Sequence, residues 1–152
     1  MPWPHGPYLH PHPILREVIT EYPPAGDRKL IIDIAGAMLD MMEALGGVGL
    51  AAPQVGLRWR MFVSTFGVFI APQIFAGPEP TLVEMEEGCL SLPGRVEKIT
   101  RPQTITLSAW DLKGRHYSQY LMGWEARVAQ HEVDHLNGIL FIDHLEKTCK
   151  TD

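Results

Sequence analysis

The chain has 152 residues, 45% of them hydrophobic and 20% charged, with a net charge of −5. That length suits a single domain over residues 1–152, and no basic stripe marks a nucleic-acid binder. Two cysteines, Cys89 and Cys149, are too few for a disulfide framework and favour a reducing compartment.

The N-terminus, MPWPHGPYLHPHPILREV, lacks the basic region and apolar core of a signal peptide. Residues 1–25 are proline-rich and predict an extended surface arm, with His5, His10 and His12 as surface residues rather than a metal tract. Asp27 is a candidate N-cap. Ile31, Ile34, Met38, Met41 or Met42, and Leu45 then recur at helical spacing, which predicts a helix over 28–45, stopped by Gly46-Gly47. Short strands are expected over 61–64, 68–71 and 82–85. The alternation at 104–110, a turn at 111–114 and a return at 116–121 predict a hairpin. A second helix is expected over 123–137, with Gly138 at its C′ position. The most apolar stretch, 61–76, is broken by Ser64, Thr65, Gly67 and Pro72, and falls short of the roughly 20 residues of a membrane span. The expectation is a soluble cytoplasmic protein of α+β class, with antiparallel sheets around the second helix and no membrane partner.

That helix carries QHEVDHLNG, Gln130 to Gly138. His131 and His135 are four residues apart, so both imidazoles share a face with Trp124 and Val128 and can point at one ion. Glu132 lies on the neighbouring face, within reach of a water on that ion without being a ligand. This is the HExxH pattern of metal-dependent hydrolases. Two histidines are one ligand short of a catalytic site. The extended HExxHxxGxxH pattern is closed off, because its last position is Phe141, and His144 comes three residues too late. Only 11 residues follow Phe141, so Glu146 has no second packed helix to present it. The third ligand is therefore sought upstream, where Cys89 sits in EGCLSLPG. Asp134 is read as structural, paired with Arg101 or Arg127, and Gln130 as a support for neighbouring loops.

GGVGLAAPQ, from Gly46 to Gln54, is not a phosphate loop, because it follows a helix and no GK[ST] comes after. Together GVGLAAPQ, EGCLS and QHEVDH resemble the peptide deformylases in order and spacing. HPILR and ARVAQHEVDHLNGILF extend the resemblance over most of the chain.

The resemblance implies a metalloenzyme that removes the N-formyl group from formylmethionyl nascent peptides, releasing formate. It implies Cys89, His131 and His135 as ligands of one divalent ion, with water in the fourth position. The ion would be Fe²⁺ in the cell, and nickel, cobalt or zinc often substitute. Glu132 would be general base and then acid, while Gln54 and the Leu90 N–H would hold the developing oxyanion. The peptide would add as a strand between backbone groups of Val48 and Gly49 on one side and Gly88 on the other. Its methionine would enter a pocket of Val48, Met85, Trp124, Val128 and the His131 ring.

Three departures stand out. The segment between Arg60 and Pro72 is shorter than usual, and Ala71-Pro72 stands where members commonly have Asn-Pro. The chain also has room for only one or two turns after the motif helix, like the trimmed members that include phage-encoded ones. Many bacterial members dock on the ribosome through a longer C-terminal helix; the ribosome stays a candidate partner here, without such a docking helix. The expected setting is the cytoplasm of a bacterial or phage-infected cell. Alternative readings of the same residues are a more general metallopeptidase or amidase, and a non-catalytic relative that binds formylated peptide.

Overall fold

The computed structural model describes Trp3 and residues 5–148. Cys149 lies outside the described residues, as does the side chain of Glu146.

Helix α1 spans Arg28–Ala44, and the Asp27 carboxylate caps it by accepting the Leu30 N–H at 3.0 Å. Ile31, Ala35, Met38, Met41 and Met42 form its buried stripe. Ile34 is only half-buried, and Leu45 is exposed just beyond the helix end.

Five strands form one antiparallel sheet in the order β1-β2-β3-β6-β7. They are β1 (Gly49–Ala51), β2 (Met61–Ser64), β3 (Gly67–Phe75), β6 (Thr104–Trp110) and β7 (His116–Met122). The predicted hairpin is β6–β7, with Ile105, Leu107, Ala109 and Leu121 buried on one face. β4 (Leu82–Cys89) and β5 (Leu92–Pro102) make a separate two-stranded antiparallel sheet. β4 runs past the expected end at Met85 as far as Cys89, and the sequence gives no sign of β5 or of three-residue β1.

Helix α2, Gly123–Leu136, lies at the centre. Ala126, Ala129 and Leu136 pack on the inner face of the large sheet. The two alanines let the helix axis come close, which brings its polar groups into the interior. Gly138 follows with φ +69, the left-handed conformation expected of a C′ glycine. A Cβ at that position would meet the Arg16 carbonyl oxygen at 2.5 Å, so close packing also requires glycine.

The N-terminal segment corrects one expectation. His5, His10 and His12 are exposed as read, but Ile14, Leu15 and Ile19 are buried. Ile14 and Leu15 sit in a single 3₁₀ turn and join Leu92, Ile99, Leu140 and Phe141 in a core cluster. The arm is thus held by apolar burial, which a composition dominated by proline and histidine hides. A last helix, α3 (Asp143–Thr148), provides the expected one or two turns. Arg16 ties it to the arm through Asp143, Nη2 to Oδ1 at 3.0 Å.

Candidate metal centre and active site

Helix α2 presents His131 and His135 one turn apart, both buried. Cys89 reaches them from the end of β4. Its Sγ lies 3.2 Å from His135 Nε2. The three ligand atoms of Cys89, His131 and His135 fall within 4.8 Å of one another, the scale of one ion's coordination sphere. Among the described residues this is the only such group of histidine, cysteine and carboxylate side chains.

Glu87 orients the first imidazole. Its Oε1 sits 2.9 Å from His131 Nδ1, leaving Nε2 for the cluster. Arg101 grips both oxygens of Glu87, at 2.6 and 2.9 Å, and Arg127 adds a third contact at 2.7 Å. Burial opposes ionisation of Glu87, but the bonds to His131 and Arg101 outweigh it and hold the carboxyl well below the usual range. Sequence reasoning missed Glu87. The expected strand ended at Met85, short of Glu87, and a register shift between Gly88 and Cys89 breaks the two-residue alternation there.

The two histidines are tuned in opposite directions. Burial would lower His131, but its hydrogen bonds to Cys89 and Glu87 prevail and push it up to about 10. His135 is held well below its ordinary value, by burial first and then by the His131 charge. The Nδ1 of His135 is buried without a hydrogen-bond partner. A thiol, a neutral imidazole and an imidazole clamped between a thiol and a carboxylate form a donor set suited to a divalent cation. The residues present therefore fit a metal ion.

Glu132 lies beside this cluster, 3% exposed. Its Oε2 is buried and has no hydrogen-bond partner. Burial, partly offset by the His131 charge, pushes it up to about 7, near the range suited to general acid–base work. A cation in the cluster would draw it back down.

Gln54 is buried in a 3₁₀ turn after β1, with both ends of its amide used. Oε1 accepts the Ala51 N–H at 2.8 Å; Nε2 donates to Ser91 Oγ at 3.0 Å and lies 3.7 Å from Cys89 Sγ. These bonds fix which end of the amide faces the cluster. Leu90 and Ser91 form the two-residue turn between β4 and β5. The Leu90 N–H lies in this turn, directly after Cys89.

A cavity of about 740 Å³ opens onto the cluster. Val48, Gly49, Gly88, Trp124 and Val128 line it. Met85 does not: it is half-buried on β4 and paired in register with Ile99. That expectation is corrected: β4 reaches the cavity further along, through Glu86, Glu87, Gly88 and Cys89. Gly49 carries a second role that the sequence does not reveal. A Cβ there would lie 2.9 Å from Glu132 Cδ and closer still to Oε1. The glycine makes room for the carboxylate. Asp134 pairs with Arg101 at 2.7 Å, settling the choice left open between Arg101 and Arg127. Gln130 Nε2 donates to the Pro102 and Ala126 carbonyls, the supporting role expected.

A helix-borne HExxH pair, completed by a strand cysteine and flanked by a buried carboxylate, defines a metal-dependent hydrolase. The family model described as polypeptide deformylase matches residues 8–151, and the chain belongs to that family, whose enzymes remove N-formyl groups from nascent peptides. A peptide deformylase from Borreliella burgdorferi is 37% identical over 147 residues, covering 93% of this chain and 88% of that protein. The crystal structure of peptide deformylase from Thermotoga maritima superposes with a TM-score of 0.83 at 36% identity, covering 91% of this chain and 95% of that one. A probable peptide deformylase from a Synechococcus phage superposes with a TM-score of 0.84 at 33% identity, covering 91% and 97%. Among the described residues, no helix is long and apolar enough to cross a membrane.

Proposed function

We propose that this chain acts as one catalytic domain over residues 1–152, in the cytoplasm, hydrolysing the formyl amide of formylmethionyl peptides. Cys89, His131 and His135 hold its single metal ion, Fe²⁺ by family resemblance, with zinc, nickel or cobalt able to substitute. The observation that carries this reading is the convergence of one sulfur and two imidazoles within 4.8 Å, beside a buried carboxylate, in a deformylase-family chain. When bound, such an ion polarises a carbonyl oxygen and makes water more acidic.

The protein's own groups do the rest. Glu132 takes the proton from water as the oxygen adds to the formyl carbon. Its unpartnered Oε2 leaves it free to do so. It then gives that proton to the nitrogen as the C–N bond breaks, so formate and a free amine leave. Gln54 donates one amide hydrogen to Ser91 and the other toward Cys89 Sγ, from which it turns to the developing oxyanion. The Leu90 N–H is the second donor. A thiolate leaves the ion less positive than three neutral ligands would, so these two donors supplement a weaker Lewis acid.

The substrate backbone adds as a strand between Val48–Gly49 and Gly88. Val48, Trp124, Val128 and the His131 ring receive the methionine side chain.

The test is formate release from formyl-Met-Ala by nickel-loaded protein, set beside cleavage of unformylated Met-Ala. Fast formate release without cleavage of the unformylated peptide supports the reading. Cleavage of both at similar rates would show a general metallopeptidase instead.

A further inference from the structure

The C-terminal helix α3 reaches back to the far side of α2 through one side chain. His144 Nε2 lies 2.8 Å from Asp134 Oδ2. The same oxygen accepts from Arg101 Nη1 at 2.7 Å. The remaining edge of the Arg101 guanidinium, Nε and Nη2, grips Glu87. Glu87 Oε1 in turn holds His131 Nδ1 at 2.9 Å. Four successive polar contacts therefore run from α3 to an imidazole of the Cys89–His131–His135 cluster.

The middle of this chain is buried and its end is not. The Arg101 and Glu87 side chains are each 4% exposed, while Asp134 is 18% and His144 24% exposed. A guanidinium is a rigid plane, so a carboxylate on each edge fixes its orientation. Glu87 has Arg127 as a second cation on Oε2, while Arg101 alone of the two arginines bonds Oε1, the oxygen that holds His131. Asp134 has only Arg101 and His144 on its carboxylate among the described residues. Where Asp134 sits, and hence how Arg101 is turned toward Glu87, depends on the one partner outside the buried set.

We propose that His144 is a positioning residue for the metal centre, acting through Asp134, Arg101 and Glu87 to hold His131 in its ligating orientation. The inference rests on the ligand role given above to His131. Direct partners of a metal-ligating histidine are worth roughly 10–100-fold in metal affinity. His144 stands three contacts further out, and its loss should be felt less.

The test follows Co²⁺ release from the loaded full-length protein to a chelator, read by the thiolate-to-cobalt absorption band. His144→Phe removes the hydrogen bond while keeping bulk, and His144→Leu serves as a second variant of the same kind. Both should release Co²⁺ about three- to tenfold faster than wild type. His144→Gln keeps a donor at the Nε2 position and should restore release to within about twofold. Asp143→Asn loosens the neighbouring tether of α3 to Arg16 without touching Asp134, and should also stay within about twofold. With peptide substrate, His144→Phe should lower kcat and leave KM unchanged. Unchanged release in both apolar variants would overturn the proposal. So would equal acceleration by Asp143→Asn, which would mean that only the docking of α3 matters. Failure of wild type itself to show the thiolate–cobalt band would overturn the metal reading and this inference together.

Discussion

Gly49 shows how much the site asks of single positions. It sits against the Glu132 carboxylate, and a Cβ there would force that side chain to move. Gly49→Ala should therefore displace the carboxylate while leaving Cys89, His131 and His135 untouched. A misplacement of that size costs roughly 10–100-fold in kcat. Metal content should remain one ion per chain. Wild-type turnover in this variant would mean that Glu132 tolerates displacement and is not the base. Cys89 was legible in the sequence, because Phe141 closes the HExxHxxGxxH pattern and the EGCLS block resembles the deformylase motif. The sequence did not reveal the Gly49–Glu132 approach or the Glu87–His131 bond, because both arise from register between β1, β4 and α2. A glycine in a glycine-rich turn and a glutamate beside a cysteine look ordinary in a linear chain.

At the scale of elements, the helices were readable and half of the sheet structure was not. Helices α1 and α2 carry long apolar stripes at helical spacing, and their start and stop residues agree with the observed ends. Strand β5 carries Pro93, Gly94, Arg95, Glu97 and Lys98, most of them exposed. It belongs to a two-stranded sheet with little buried face, so no alternation was imposed on it. Strand β3 was expected over four residues but spans nine, because a register shift between Ile70 and Gln73 hides its continuation. Within that irregularity Ala71 has φ +50, where a non-glycine residue is strained by roughly 1 kcal/mol. Asparagine tolerates this conformation better. Ala71→Asn should raise stability by about 1 kcal/mol, or roughly 2–4 °C in Tm. A lowered Tm would show that the alanine methyl contributes packing that outweighs its strain.

Across the whole molecule, distant segments converge to hold the catalytic helix. The arm buries Ile14 and Leu15 against Leu92, Ile99, Leu140 and Phe141, and Arg16 reaches Asp143 at the start of α3. Burial raises the Asp143 pKa, but its bonds to Arg16 and the Leu140 N–H outweigh that and leave it lowered. A carboxyl lowered in the folded state stabilises above its unfolded pKa, about 3.9, and that contribution is lost as pH falls through the folded value. Asp143→Asn should lower Tm at neutral pH and make the loss of Tm below about pH 4 shallower. Parallel Tm–pH curves for the two proteins would show that this pair does not contribute. The composition of the arm concealed its anchoring, since three buried apolar side chains are spread among prolines and histidines.

The proposed activity is deformylation of peptides at one thiolate-ligated ion in this fold. It is tested most directly by titrating Ni²⁺ into metal-free protein while recording formate release from formyl-Met-Ala. The rate should rise linearly and level off at one ion per chain, and Cys89→Ser should show no such break. No formate release at one equivalent, or an undiminished stoichiometric response in Cys89→Ser, would contradict it.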